Sequence, residues 1–320
     1  LVAAVKFARD HSLQSSRFRW RVIPIPSSTV KGGGGVCFSS GVVDLEAFKS
    51  ILKGTHVTGG SGQQKLDPAS IVMVCITHIP TNAGIINPVN EIGKIIDEFN
   101  SRAEGDKSNN TTLPQMIYLV DACQSVGQIS VNVVDMKCHA LAATGRKYLR
   151  GPRGTGFLYI HHKIANVLEP SHVDHAAAPV VRVIEQSAWL HGLEEDGGFG
   201  LCHTYQPGAA RFEFWEANIA TRLGLGAAID ISLCYGTDKI EKKCASLGGL
   251  LRQRLRAMEG VHVYHDGSSA CGIVTFSLKK KDATAIKEIM QNGFYELDSE
   301  NPEHHLFCFH LSTVPATSTP

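Results

Sequence analysis

The sequence predicts an α/β protein: a mostly parallel sheet sandwiched by helices, followed by a smaller α+β unit at the C-terminal end. Three observations predict it. Apolar runs of strand length alternate with amphipathic stretches at helical spacing through the first two-thirds of the chain. The runs are continuous and rich in β-branched residues, as in strands covered on both faces. From about Thr237 the pattern changes to one long helix followed by short strands. Strands and helices that alternate at this spacing form a sheet with helices on both faces.

Taken in order, Ile71–Ile79 reads as the first buried strand. Asn87 and Pro88 then supply a capping residue and a proline at a first helical position. Val89, Ile92, Ile96 and Phe99 recur at helical spacing, so Pro88–Asn100 is a helix with one buried face. Met116–Val120, Ala140–Ala143 and Gly156–Ile160 are the next strands. Trp215–Leu233 reads as a long, Ala-rich helix packed inside the protein. Ile240, Cys244, Leu247, Leu251, Leu255 and Met258 mark an amphipathic helix that Gly260 ends. Val261–Tyr264 and Gly272–Leu278 are short strands, and Asp282–Gln291 a final helix. Ser27–Gly41, Gly59–Asp67 and Glu185–Pro207 read as irregular insertions, the first holding four consecutive glycines that match no phosphate-loop pattern.

Composition narrows the function classes. Lys plus Arg total 31 and Asp plus Glu 30, so the surface carries no net sign that would attract nucleic acid or an anionic membrane. Lys279–Lys281 is the one dense basic run and reads as a solvated turn. The nine cysteines are odd in number and irregularly spaced, most of them in apolar runs. They read as reduced core residues of a cytoplasmic protein and not as a disulfide framework. No apolar run reaches the roughly 18 residues of a membrane helix. His161-His162 and His304-His305 lack the spacing of a zinc site, so no metal is expected. The chain starts at Leu1 inside an apolar segment, so a truncated start is expected and a targeting segment ahead of it stays open.

The residues that carry chemistry cluster in two segments. Asp121 ends one apolar strand, and Lys147 lies just past the end of another. In an open α/β sheet, ligands bind at the carboxyl ends of strands. A carboxylate and an amine on neighbouring strand ends suit pyridoxal 5'-phosphate (PLP). The carboxylate can pair with the pyridine nitrogen and the amine can form a Schiff base and move a proton. Gln124 is placed to meet the ring hydroxyl, Thr144 to meet a phosphate oxygen, and Arg146 adds positive charge beside it. Taken alone, a strand-end Asp is as well explained as a helix cap and a lone Lys as a surface residue.

Asp121-Ala-Cys-Gln124, Thr144-Gly-Arg-Lys147 and Gly151-Pro-Arg-Gly-Thr-Gly-Phe-Leu-Tyr159 together resemble the class V aminotransferases. These are the cysteine-desulfurase-like and isopenicillin-epimerase-like branch of fold-type-I PLP enzymes. Thr77–Ile92, Arg211–Glu216 and Gly272–Phe276 resemble further segments of that family, so the likeness runs from about Asp67 to Phe276. It implies a fold-type-I architecture, with residues 1–236 as the PLP-binding domain lacking its N-terminal part and 237–320 as an incomplete small domain. It implies Lys147 as the Schiff-base lysine, Asp121 as the ring-nitrogen partner, Gln124 as the ring-hydroxyl contact, and Thr144 and Arg146 on the phosphate side. Thr81 takes a place where many relatives carry an Asn near the ring. A small amino acid as substrate and a homodimer are also implied.

The chain departs from the family in three ways. The family's phosphate-binding helix N-terminus and ring-stacking residue precede the segments found here. Its substrate-carboxylate arginine motif does not follow them, so the chain is expected to be truncated at both ends. Ser268-Ser-Ala-Cys271 resembles the nucleophile loop of desulfurases but precedes the small domain's strand, and Trp215-Glu216 is the epimerase-like version of its element. The expected activity is therefore amino transfer, epimerisation or lyase cleavage. The alternative is an inert relative with a binding role.

Overall fold

The computed structural model describes residues 25, 27–31, 37–55, 67–81, 84–104, 116–171, 174–185, 199–264, 271–278 and 288. The chain divides into two compact units, Leu1–Leu66 and Asp67–Pro320.

In the first unit, β1 (Ser27–Lys31) pairs antiparallel with β2 (Cys37–Val43). This corrects the expectation of an irregular insertion over Ser27–Gly41. Val30 and Lys31 sit opposite Phe38 and Cys37, and a short ladder satisfies backbone groups that composition alone assigns to a loop. The four glycines lie outside the described residues, as does most of Gly59–Asp67. Helix α1 (Leu45–Leu52) follows, its first turn capped by the Asp44 carboxylate, which accepts from the N–H groups of Glu46 and Ala47 at 3.0 Å each. Phe48, Ile51 and Leu52 form its buried face.

The second unit is built on a four-stranded sheet in the order β3 (Met73–Thr77), β4 (Ile117–Asp121), β5 (Ala140–Thr144), β6 (Gly156–Ile160). The first three strands run parallel and β6 runs antiparallel to β5. The expected strand Ile71–Ile79 is shorter than its apolar run because Pro68–Ser70 forms a 3-10 turn just before it. It is also fully covered on one face only: Val74 and Ile76 are buried while Met73 and Thr77 are exposed. β6 is exposed over Gly156–Leu158.

Helix α2 (Val89–Glu104) packs its predicted face, Val89, Ile92 and Ile96, into the core. The Tyr118 hydroxyl donates to Val89 O at 3.0 Å. Buried Asn100 holds the start of β4 from both sides, accepting from Met116 N at 2.9 Å and donating to Met116 O at 3.0 Å. Two short helices, α3 (Val133–Met136) and α4 (His162–Ala165), connect the strands. The expected insertion Glu185–Pro207 is corrected in part: β7 (Val180–Glu185) pairs antiparallel with β8 (Phe199–His203). Residues 186–198 lie outside the described residues.

Helix α5 (Ile219–Tyr235) begins later than expected, where the Asn218 side chain caps Thr221 N at 3.1 Å. Its burial corrects the sequence reading. Leu225 is its one buried residue, whereas Ile219, Leu223, Ile231 and Leu233 are more than half exposed. Gly236 turns the chain into α6 (Thr237–Arg256). β9 (Val261–Tyr264) and β10 (Thr275–Leu278) form an antiparallel pair beside α6. The helix expected over Asp282–Gln291, the Lys279–Lys281 run and His304-His305 lie outside the described residues, apart from residue 288. Among the described residues, no helix is long and apolar enough to cross a membrane.

Candidate active site

The carboxyl ends of β3, β4 and β5 lie side by side. Thr77 is in register with Asp121, and Asp121 with Ala142. The ladder extends one residue further on each side, with His78 N donating to Asp121 O at 2.9 Å and Ala122 N to Ala142 O at 2.8 Å. Parallel strands thus deliver three loops to one edge of the sheet.

Asp121 is half-buried at that edge, and its Oδ1 accepts from Cys123 N at 3.0 Å. The Cys123 thiol sits beside the same carboxylate. Burial pushes the thiol up to about 11, and the hydrogen bond to Asp121 and that residue's negative charge act in the same direction. The positive charge of Lys147 acts on the same thiol in the opposite sense. One sulfur therefore feels charges of opposite sign from the two members of the predicted pair. Cys123 itself reads in sequence as one more buried core cysteine. Its adjacency to Asp121 is the signal that marks it as part of the site.

Gln124 is buried, and its Nε2 donates to the Thr81 hydroxyl at 3.1 Å. Gln124, expected at the ring hydroxyl, and Thr81, expected near the ring, are thus brought together from separate loops. Lys147 is half-buried in a tight turn following β5. Gly145 N donates to Thr155 O at 2.8 Å, Gly151 N to Gly145 O at 2.8 Å, and Arg150 N to Lys147 O at 2.9 Å. Leu225, the buried residue of α5, packs on this turn at Gly145 and Gly151. The Thr144 hydroxyl faces Thr155 O at 3.4 Å, and Arg146 is exposed on the outside of the turn. The structure therefore brings Gln124 and Thr81 into contact, sets Asp121 at the end of β4, and sets Lys147 in the turn after β5, next to Arg146 and three residues past Thr144.

Three further buried side chains stand apart from this set. His78 is buried, and its Nδ1 has no hydrogen-bond partner among the described residues. Burial lowers it to about 4, so it stands neutral beside the site. Cys271 is buried against Ile79 and Ile129, with its thiol pushed up by desolvation, which is the opposite of an activated nucleophile. Arg211 is buried and ties loops together, its guanidinium donating to Gln206 O at 3.0 Å and lying over the Tyr205 ring.

A carboxylate and a lysine at adjacent strand ends of a mixed α/β sheet suit an enzyme that holds an aldehyde cofactor on an amine. Residues 52–293 match the family model described as Aminotransferase class-V, and the chain belongs to that family. It is 29% identical over 248 residues to a probable cysteine desulfurase of Methanothermobacter thermautotrophicus, covering 78% of this chain and 54% of that relative. A probable cysteine desulfurase of Pyrococcus abyssi is 33% identical over 171 residues, covering 53% of this chain and 35% of the relative. The chain thus spans about half the length, or less, of these curated relatives. Among solved structures, the apo cysteine desulfurase of Thermococcus onnurineus NA1 superposes with a TM-score of 0.59 at 23% identity, covering 79% of this chain and 52% of that one. A complex of the cystine C-S lyase C-DES with cysteine persulfide gives 0.52 at 22% identity, covering 69% and 51%. These likenesses establish the fold-type-I architecture.

Proposed function

We propose that this protein is a PLP-dependent enzyme acting on a small amino acid, with carbon–sulfur bond cleavage at the β-carbon as its reaction class. The observation that carries the reading is the placement of Asp121 at the carboxyl end of β4 and of Lys147 in the turn just past the carboxyl end of the adjacent parallel strand β5. The donor set fits the cofactor. Lys147 supplies the amine for its aldehyde, Asp121 a carboxylate for its ring nitrogen, Gln124 and Thr81 a polar pair for its ring hydroxyl, and Thr144 and Arg146 a hydroxyl and a cation for its phosphate. PLP, when bound, supplies an electron sink for the bonds at the substrate's α-carbon.

The chain's own residues do the rest. Asp121 would keep the ring nitrogen protonated, and its acceptor bond from Cys123 N fixes the carboxylate's direction. The Lys147 amine would hold the cofactor's aldehyde and would serve as the base for the proton at the substrate's α-carbon. His78, held neutral by burial, adds no competing positive charge near Asp121. The cysteine desulfurases among the relatives support the sulfur-amino-acid reading. The exposed Trp215-Glu216 pair supports a second one, epimerisation or amino transfer at the α-carbon, and a homodimer is proposed with either.

The test is direct. Protein incubated with PLP should turn yellow, borohydride should fix the cofactor to Lys147 in a peptide map, and Lys147→Ala should abolish both. A colourless wild-type protein would instead favour an inert family member with a binding role. Incubating the coloured protein with cysteine or cystine should release sulfide or persulfide if the bond cleaved is carbon–sulfur. Racemised substrate, or a keto acid that retains the substrate's sulfur, would favour the second reading.

A further inference from the structure

Gln128 is fully buried and uses both ends of its side-chain amide. Its Nε2 donates to Gln124 O at 2.9 Å, and its Oε1 accepts from Gly272 N at 2.7 Å. A buried amide so satisfied is a specific link, because removing it leaves a backbone N–H and a carbonyl to find other partners away from water. The link joins the turn after β4, which carries Gln124, to the segment Cys271–Ile273 that leads into β10. That segment is itself held firmly. Arg252, buried on α6, donates from Nη2 to Cys271 O and Ile273 O at 2.6 Å each, and Cys271 N donates to Gly84 O at 3.3 Å.

The other side of the turn is fixed independently. Gly127 has φ +82°, and a Cβ there would come within 2.7 Å of Tyr148 C and Leu149 N, so the turn lies directly on the backbone after Lys147. What Gln128 controls is thus the Gln124 end, whose side chain reaches Thr81. We propose that Gln128 is a positioning residue of the site: through Gln124 O it sets how the Gln124 amide is presented to the ring hydroxyl. In this way it couples the α6–β10 region to the cofactor pocket. This rests on the reading of the protein as a PLP enzyme.

The test uses Gln128→Met, close in volume but without hydrogen-bonding ends, and Gln128→Glu, which keeps an acceptor toward Gly272 N. Each is made alone and with Gln124→Ala, then titrated with PLP while the visible band is followed, with thermal melts in parallel. Gln128→Met should weaken PLP binding about threefold to tenfold and shift the visible band or its pH dependence. Gln128→Glu, which loses the donor and sets a carboxylate against Gln124 O, should weaken it at least as much. In the Gln124→Ala background the same substitutions should change neither quantity, since no side chain remains to be aimed. Equal losses in both backgrounds, or an unchanged band and affinity in folded Gln128→Met, would overturn the proposal while leaving the PLP reading intact. If Gln128→Met does not fold, Gln128→Glu carries the same comparison. A wild-type protein with no visible band overturns both.

Discussion

The Gln124 amide donates to the Thr81 hydroxyl across 3.1 Å, joining the turn after β4 to the loop after β3 at the carboxyl edge of the sheet. Thr81→Val keeps the shape and removes the acceptor. A single neutral hydrogen bond contributes about 0.5–1.5 kcal/mol, so PLP binding should weaken by roughly threefold to tenfold. A spectrophotometric titration reads this. Thr81→Ser, which restores the hydroxyl, should recover most of the affinity. Equal losses in both variants would show that the hydroxyl is not what matters.

Asp121 has two tasks, and substitution separates them. Asn at this position keeps an oxygen for Cys123 N but removes the charge. Asp121→Asn should therefore fold normally and lose turnover by about 100-fold or more, the scale of a lost electrostatic contribution to a transition state. It should also let the Cys123 thiol ionise at lower pH than its present value of about 11, because the carboxylate's charge and hydrogen bond help hold it there. The pH dependence of alkylation at Cys123 in the cofactor-free protein, followed by peptide mass, checks this without any assay of turnover.

Much of this site and its scaffold was legible in the sequence, for a physical reason. Helix α2 declares itself because Val89, Ile92 and Ile96 must share one face, and the strands around Tyr118 and Leu141 because both faces there exclude charge. Asp121 and Lys147 stand out because each ends such a run. Other features had no local signature. Helix α5 is apolar on every side, so its pattern cannot say that Leu225 alone turns inward. The β1–β2 pair lies in a Ser- and Gly-rich stretch where cross-strand pairing, not periodicity, selects extended backbone, and β8 lies beyond a glycine pair that reads as a loop. Gln128 becomes meaningful only when chain closure brings Gly272 to it, a relationship that no window of sequence contains.

His78 makes a prediction about pH. Its ordinary value of 6.5 applies in the unfolded chain, and burial lowers it to about 4 in the folded one. Between those values the unfolded state binds the proton and the folded state does not. This contribution to stability is fully present above pH 6.5 and is lost as pH falls toward 4. The loss from this one group approaches about 3 kcal/mol. Urea denaturation from pH 7 to 4 should show a shallower decline in His78→Gln than in wild type, whatever the variant's stability at pH 7. Parallel declines would mean that His78 is not buried neutral.

Gly93 and Gly249 make the sharpest test of the packing that supports the site. Both lie within helices, where replacing glycine by alanine ordinarily stabilises by about 1 kcal/mol. At Gly249, on α6, a Cβ would meet nothing within 4 Å, so Gly249→Ala should follow that rule. At Gly93, on α2, a Cβ would lie 1.9 Å from Met136 O and 3.3 Å from Tyr118 Cε1. Helix α2 and the end of α3 would have to separate, and overpacking of this kind costs about 1–3 kcal/mol. The sign should therefore reverse between two chemically identical substitutions. Because Tyr118 lies on β4, three residues before Asp121, the strain of Gly93→Ala should also reach the cofactor edge. Urea midpoints for the two variants and their PLP titrations should move together: unchanged or improved for Gly249→Ala, reduced for Gly93→Ala. Stabilisation by Gly93→Ala would mean that α2 does not approach Met136 as closely as the structure has it.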